Sequence, residues 1–141
     1  MKTFLSAIVI AASAFSTSAA TLSLPSSVWA VSLNGKPVSQ FASQLSLTDG
    51  PQVVELKYGE LLQLNAEDHE MITSAPLYLS FEGDGSERYQ LLLPILEDEQ
   101  AVRQFARQPK VTLRSDAGPV ENRLLTQSQL LVLMARHTLD R

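Results

Sequence analysis

The sequence predicts a mainly β, α+β domain: a small antiparallel β-sandwich with one short helix and a C-terminal helix packed on it. Through much of residues 21–94 apolar side chains alternate with polar ones, the period of strands with one wet and one buried side. Turn signals rich in Asn, Asp, Gly and Pro separate these runs, as antiparallel pairing requires. After Pro94 the apolar spacing lengthens to that of a helix. A chain of 141 residues, 45% hydrophobic and 18% charged, carries one globular domain and is too apolar for disorder.

The N-terminus reads as a segment apart. Lys2 is followed by an apolar stretch from Phe4 to Phe15 and by small residues to Ala20, the build of a cleavable secretory signal. Residues 1–20 are therefore expected to be a signal peptide, and residues 21–141 a single β-rich domain. Small residues at Ser18 and Ala20 place the cut after Ala20, with the bond after Ala19 as the near alternative. A spanning helix needs about 20 apolar residues, more than this stretch supplies. Cys is absent, so the product has neither a thiol for a lipid anchor nor a disulfide. A soluble, periplasmic domain held by apolar burial alone is the expectation.

Within the domain, residues 21–94 read as the sandwich core and 95–141 as a mixed helix and strand end. Trp29, Val31 and Leu33 share one side of the first run, predicted as the core side, and Asn34-Gly35 follows as a tight hairpin turn. Leu45 and Leu47 lead through Thr48-Asp49-Gly50-Pro51 to Val54, Leu56 and Tyr58, a second expected hairpin. Leu77, Leu79 and Phe81 lead through Gly83-Asp84-Gly85-Ser86 to Tyr89, Leu91 and Leu93, a third. Acids at 97–99 open an amphipathic helix with Ala101, Val102, Phe105 and Ala106 on one side, ended by Pro109. Val111 and Leu113 alternate as one more strand before the Asp116-Ala117-Gly118-Pro119 turn. Thr126 and Gln129 form a capping-box pattern ahead of an apolar run from Leu130 to Ala135, expected as a helix covering the sheet.

The chemistry-bearing residues point to no reaction. Glu67, Asp68, His69 and Glu70 are potential metal ligands, but four sequence neighbours cannot all turn toward one ion, so a hydrated loop is expected. His137 falls seven residues after Leu130, where a partly covered ring is commoner than a general base. The oxygen-rich run from Glu82 to Glu87 lacks the Gly and the closing Glu of a calcium loop. No G-x-S-x-G elbow, phosphate loop or dinucleotide fingerprint occurs. Tyr78 is open to a ligand-stacking or a structural reading. No catalytic, metal or cofactor residue is assigned, and no enzyme is expected. With Lys and Arg at 11 against 15 acids, a net charge of −4 and no basic run, nucleic acid is a poor partner. No membrane partner is expected after cleavage, and oligomeric state has no sequence signal.

Several stretches taken together resemble a known family. They are Thr21-Leu22-Ser23-Leu24, the run from Val31 to Val38, the segment from Leu45 to Tyr58 with its Asp49-Gly50-Pro51-Gln52 turn, and Leu92-Leu93-Pro94 before an acidic helix. Their order behind a signal peptide is similar to that of the YccT-like (CsgI-like) family of exported proteobacterial proteins, and residues 125–130 look like its closing helix. This chain passes from Leu113 to Leu124 more quickly than the family pattern. The Gly50-Pro51 hairpin also looks like small surface-layer β-modules of the PEGA type, an analogy of fold only. The resemblance implies a β-rich binding protein with a protein partner in the periplasm or at the cell surface, a curli-type amyloid subunit, whose assembly it would modulate or inhibit. Amyloid grows by adding strands to an open edge, so a soluble protein with its own free edge can occupy that site. Residues 44–48 and 110–114 are the candidate edges. A cell-envelope scaffolding module docking through the terminal apolar helix is the alternative, and a small hydrolase the least favoured.

Overall fold

The computed structural model describes residues 20–140; the expected leader lies outside them, except for Ala20. In chain order the elements are β1 (Thr21–Ser23), β2 (Val28–Leu33), β3 (Lys36–Pro37), β4 (Gln44–Ser46), β5 (Gly50–Gln63), β6 (His69–Thr73), β7 (Leu77–Gly83), β8 (Arg88–Leu92), α1 (Glu99–Arg107), β9 (Thr112–Ser115), β10 (Gly118–Val120), β11 (Asn122–Thr126) and α2 (Gln127–Leu139). They form the expected mainly β, α+β fold. One sheet has the order β10-β9-β8-β1-β4; the other is β11-β7-β5-β2-β3, with β6 added to the far half of β5. All neighbours are antiparallel except β1 and β8, which run parallel.

The core lies between the sheets. Leu22, Leu45, Tyr89, Leu91 and Leu113 from one face Val28, Ala30, Val54, Leu56, Tyr58 and Leu79 from the other, all buried. The alternation predicted for β5, β7 and β8 is the one observed: Val54, Leu56 and Tyr58, then Leu77, Leu79 and Phe81, then Tyr89 and Leu91 point inward. Two edges of the sandwich are added after residue 94, because β9 and β10 extend the first sheet and β11 the second.

The two later hairpins are corrected. β4 pairs with β1 rather than β5, and β8 pairs with β1 and β9 rather than β7. In each case the turn carries the chain from one sheet to the other, so adjacent runs face each other across the core instead of bonding side by side. Gly50, at φ 97°, and Gly83 sit opposite each other where these crossings meet. Asp49 Oδ1 accepts from the Gly85 N–H at 3.1 Å, and the Tyr89 hydroxyl accepts from the Asp84 N–H at 2.7 Å, so the two crossings brace each other.

The inward face of β2 is a second correction. Val28 and Ala30 are buried, whereas Trp29 is half-exposed and Val31 is 36% exposed. A bulge between Ala30 and Ser32 shifts the pairing with β5, which returns Leu33 to the core side beside Val54. A period-two pattern carried backwards from Leu33 across this bulge therefore puts Trp29 on the wrong side. Its ring lies against Gly59 on the outer face, where an added Cβ would stand 2.8 Å from the ring. The Asn34-Gly35 turn is as predicted, with φ of 51° and 82°, though β3 beyond it is a two-residue stub.

Candidate functional site

The sandwich exposes its edges unequally. At the β1 side of β4, Leu24 N donates to Ser43 O at 2.8 Å and Leu47 N to Ala20 O at 2.9 Å, with Leu22 opposite Leu45. Backbone direction alternates along a strand, so residues 43, 45 and 47 turn their N–H and C=O groups to β1. Gln44 and Ser46 turn theirs outward, and both residues are exposed. The other terminal strands are blunted. Pro119 stands in β10 and Pro37 in β3, while β6 carries Glu70 and β11 carries Arg123. Such residues deter strand addition. Among the described edge strands β4 alone has neither proline nor charge. The expectation that residues 44–48 form an edge agrees with this placement. The expectation for residues 110–114 is corrected: β9 is bonded on both sides, to β8 and β10, because the Asp116-Ala117 turn folds β10 back over it.

A cleft of about 660 Å³ opens at one end of the sandwich, between the start of α1, the loop after β8 and the ends of β1 and β5. Helix α1 begins there because Asp98 Oδ1 accepts from the Ala101 N–H at 2.7 Å. Its Val102 and Phe105 are buried against the sandwich. Phe105 meets the Tyr58 ring edge-on, 4.7 Å between centroids at 68°. On its outer side Arg103 clamps the helix to β6: it ion-pairs with Glu70 through two nitrogens and reaches Glu99 Oε1 at 2.7 Å. The Arg103 bonds hold the Glu70 carboxyl below its ordinary range, and the two carboxylates push the guanidinium up. Tyr58, 1% exposed, lines the cleft, and its hydroxyl has no hydrogen-bond partner among the described residues. Burial, then the charge of Glu60, raises its pKa.

The other residues considered from sequence do not assemble. His69 is exposed at the start of β6, and Asn65 organises the preceding turn by accepting from the N–H groups of Glu67 and Asp68 at 2.9 Å each. His137 is exposed on α2. Among the described residues no three His, Asp or Glu side chains converge on a point that could hold a metal. Asp84 accepts from Ser86 N and Oγ at 3.0 and 2.8 Å, which lowers its pKa and makes this run a self-closed turn. Tyr78 donates to Glu55 Oε1 at 3.3 Å, and Ser32 donates to the other oxygen of the same carboxylate at 3.2 Å, on the outer face of the second sheet. Helix α2 has the predicted capping box, with Thr126 and Gln129 bonded reciprocally. It leans on β11 and β7 but buries none of its residues; Leu131 and Met134 are 60% and 57% exposed. The expected covering of the sheet by its apolar run is thus corrected: six successive apolar residues from Leu130 to Ala135 surround the helix, and one sheet edge can touch only part of it.

Comparison with known proteins places these features in a family. The family described as "Uncharacterized protein conserved in bacteria (DUF2057)" matches residues 21–135, from β1 into α2. A UPF0319 protein of Shewanella oneidensis is 30% identical over 128 residues, covering 85% of this chain and 57% of its own. UPF0319 protein YccT of Salmonella heidelberg is 30% identical over 129 residues, covering 88% and 57%, and that of Salmonella dublin 29% identical over 111 residues, covering 75% and 50%. The chain therefore spans about half the length of the curated relatives it matches. No solved structure matches. A match reaching across both sheets and both helices makes this chain a member of the uncharacterised DUF2057 (UPF0319, YccT-like) family.

Proposed function

We propose that this protein is a non-enzymatic binding protein, exported to the periplasm or cell surface, that restrains assembly of an extracellular, curli-type amyloid by capping a growing strand edge. The observation that carries the reading is β4, whose outward Gln44 and Ser46 backbone groups are free while every other described edge strand is blunted. An incoming strand would bond to these groups, and the folded β1 behind β4 would offer it no further template. The YccT-like resemblance supplies the class of partner. Fibril formation by a purified curli-type subunit, followed with substoichiometric protein, tests it: a longer lag or slower growth is expected. Ser46→Pro deletes an outward N–H without touching the β1 ladder, so it should abolish the effect while leaving thermal stability in place. Unchanged lag and growth at equimolar protein overturns the reading.

The exposed apolar run of α2 favours a second reading, an envelope module that docks another protein through this helix. Replacing Leu131 and Met134 with Gln would then release a co-purified partner and leave fibril kinetics as in the parent, whereas Ser46→Pro would do the reverse.

A further inference from the structure

We propose that the cleft beside α1 is a binding site for a small aliphatic amine, a primary ammonium carried on a methylene chain. The proposal does not depend on the β4 edge. Leu24, Leu91, Leu93 and Val102 give the cleft an apolar wall suited to methylene groups. Its volume of about 660 Å³ lies in the range of small-molecule sites.

The polar groups select the sign of the ligand. No Lys, Arg or His lines the cleft, whereas Glu60, Glu97, Asp98 and Glu99 do. Two of these acids are engaged, Asp98 in capping Ala101 N and Glu99 in holding Arg103. Glu60 and Glu97 have no ion-pair partner among the described residues. The positive end of α1, which would otherwise draw an anion, is answered by Asp98 itself. An anion entering here would meet uncompensated carboxylates; an ammonium would neutralise one.

Tyr58 is the independent sign that something binds. It is fully inside the fold, it lines the cleft, and its hydroxyl is unpartnered. A buried polar atom left without a bond is costly and rare. The hydroxyl is itself sealed from solvent, so a small outward turn of the ring accompanies the bond its oxygen accepts from an ammonium that pairs at the same time with Glu60, two residues along β5.

Calorimetric titration of the intact protein with diaminopentane and with Nα-acetyl-lysine N-methylamide tests the proposal. Saturable binding of either is expected, and tighter binding of one tells whether the natural source is a free amine or a lysine side chain. Glu60→Gln should weaken binding by about tenfold, the value of one charge-assisted bond. Tyr58→Phe should weaken binding yet raise the midpoint of thermal unfolding, because it removes an unsatisfied group; a purely structural tyrosine would not give these opposite signs. Absence of saturable binding of both amines, equal binding of pentanol or hexanoate, or unchanged affinity in Glu60→Gln would each overturn it.

Discussion

Gln52 stands in β5 at full burial, surrounded by its own network. Its Oε1 accepts from Asn34 Nδ2 at 2.9 Å, and its Nε2 donates to Thr48 O at 2.7 Å and Gly50 O at 3.1 Å. Asn34 in turn accepts from Val53 N at 2.8 Å. The side chain thus ties the first hairpin to the crossing between sheets. Position 52 shares the inward parity of Val54, Leu56 and Tyr58, but polarity is the very signal used to place a residue outside, so the inward run reads as starting at Val54. Gln52→Leu fills the space but strands the carbonyls of Thr48 and Gly50 and the Asn34 amide, so it should cost about 2–3 kcal/mol in urea unfolding. Gly59 has the converse logic. Its neighbour Trp29 occupies the space a Cβ would need, and Trp29 is the single tryptophan of the sequence. Gly59→Ala should cost about 1 kcal/mol through displacement of the ring, with a change in intrinsic fluorescence reporting the movement directly.

Elements whose signals are local were legible, and elements whose partners are distant were not. Helix α1 announces itself by Asp98, by its acidic first turn and by Val102 and Phe105 on one side; α2 does so by Thr126 and Gln129. Strand partners carry no such mark: the parallel pairing of β1 with β8 joins residues far apart in sequence, and β11, with Arg123 between Asn122 and Leu124, shows little alternation. The clamp on α1 was half legible, because Glu99 and Arg103 are one helical turn apart while Glu70 comes from β6. Glu70 has its pKa lowered chiefly by the Arg103 bond. A depressed carboxyl contributes stability that is complete above its ordinary value of 4.5 and is lost as pH falls through its lower folded value. Amide exchange in α1 should therefore accelerate below about pH 4 relative to the β5 core, and Glu70→Gln should remove that dependence while leaving α1 less protected at neutral pH. Thr126→Ala removes the cap of α2 for about 1 kcal/mol of helix stability. Because α2 buries none of its residues, the loss should appear in exchange rates of α2 alone, with the main unfolding transition of the sandwich unmoved.

At the scale of the whole molecule the two sheets are joined by crossings rather than hairpins, and in the first sheet β1, the three-residue strand at the start of the described chain, lies between β8 and the edge strand β4. β4 bonds only to β1, so the free edge exists only if β1 is held in place. Ala20 does much of the holding: its N–H donates to Gly85 O at 3.1 Å, its carbonyl accepts from Leu47 N at 2.9 Å, and its side chain belongs to the core. This bears on the two bonds at which the expected leader would be cut. Cleavage after Ala19 leaves both Ala20 bonds in place, the new ammonium still able to donate to Gly85 O. Cleavage after Ala20 forfeits both and puts the ammonium on Thr21, whose N–H is bonded to Glu87 O at 3.3 Å within the parallel ladder. With export as proposed, intact-mass measurement of the periplasmic protein should therefore show Ala20 as the first residue. A form beginning at Thr21 should be less stable by about 1–2 kcal/mol, two backbone bonds' worth, and should lose protection first at Leu47 beside the β4 edge. A natural start at Thr21, with the unfolding midpoint unchanged by restoring Ala20, would refute this placement of the cut.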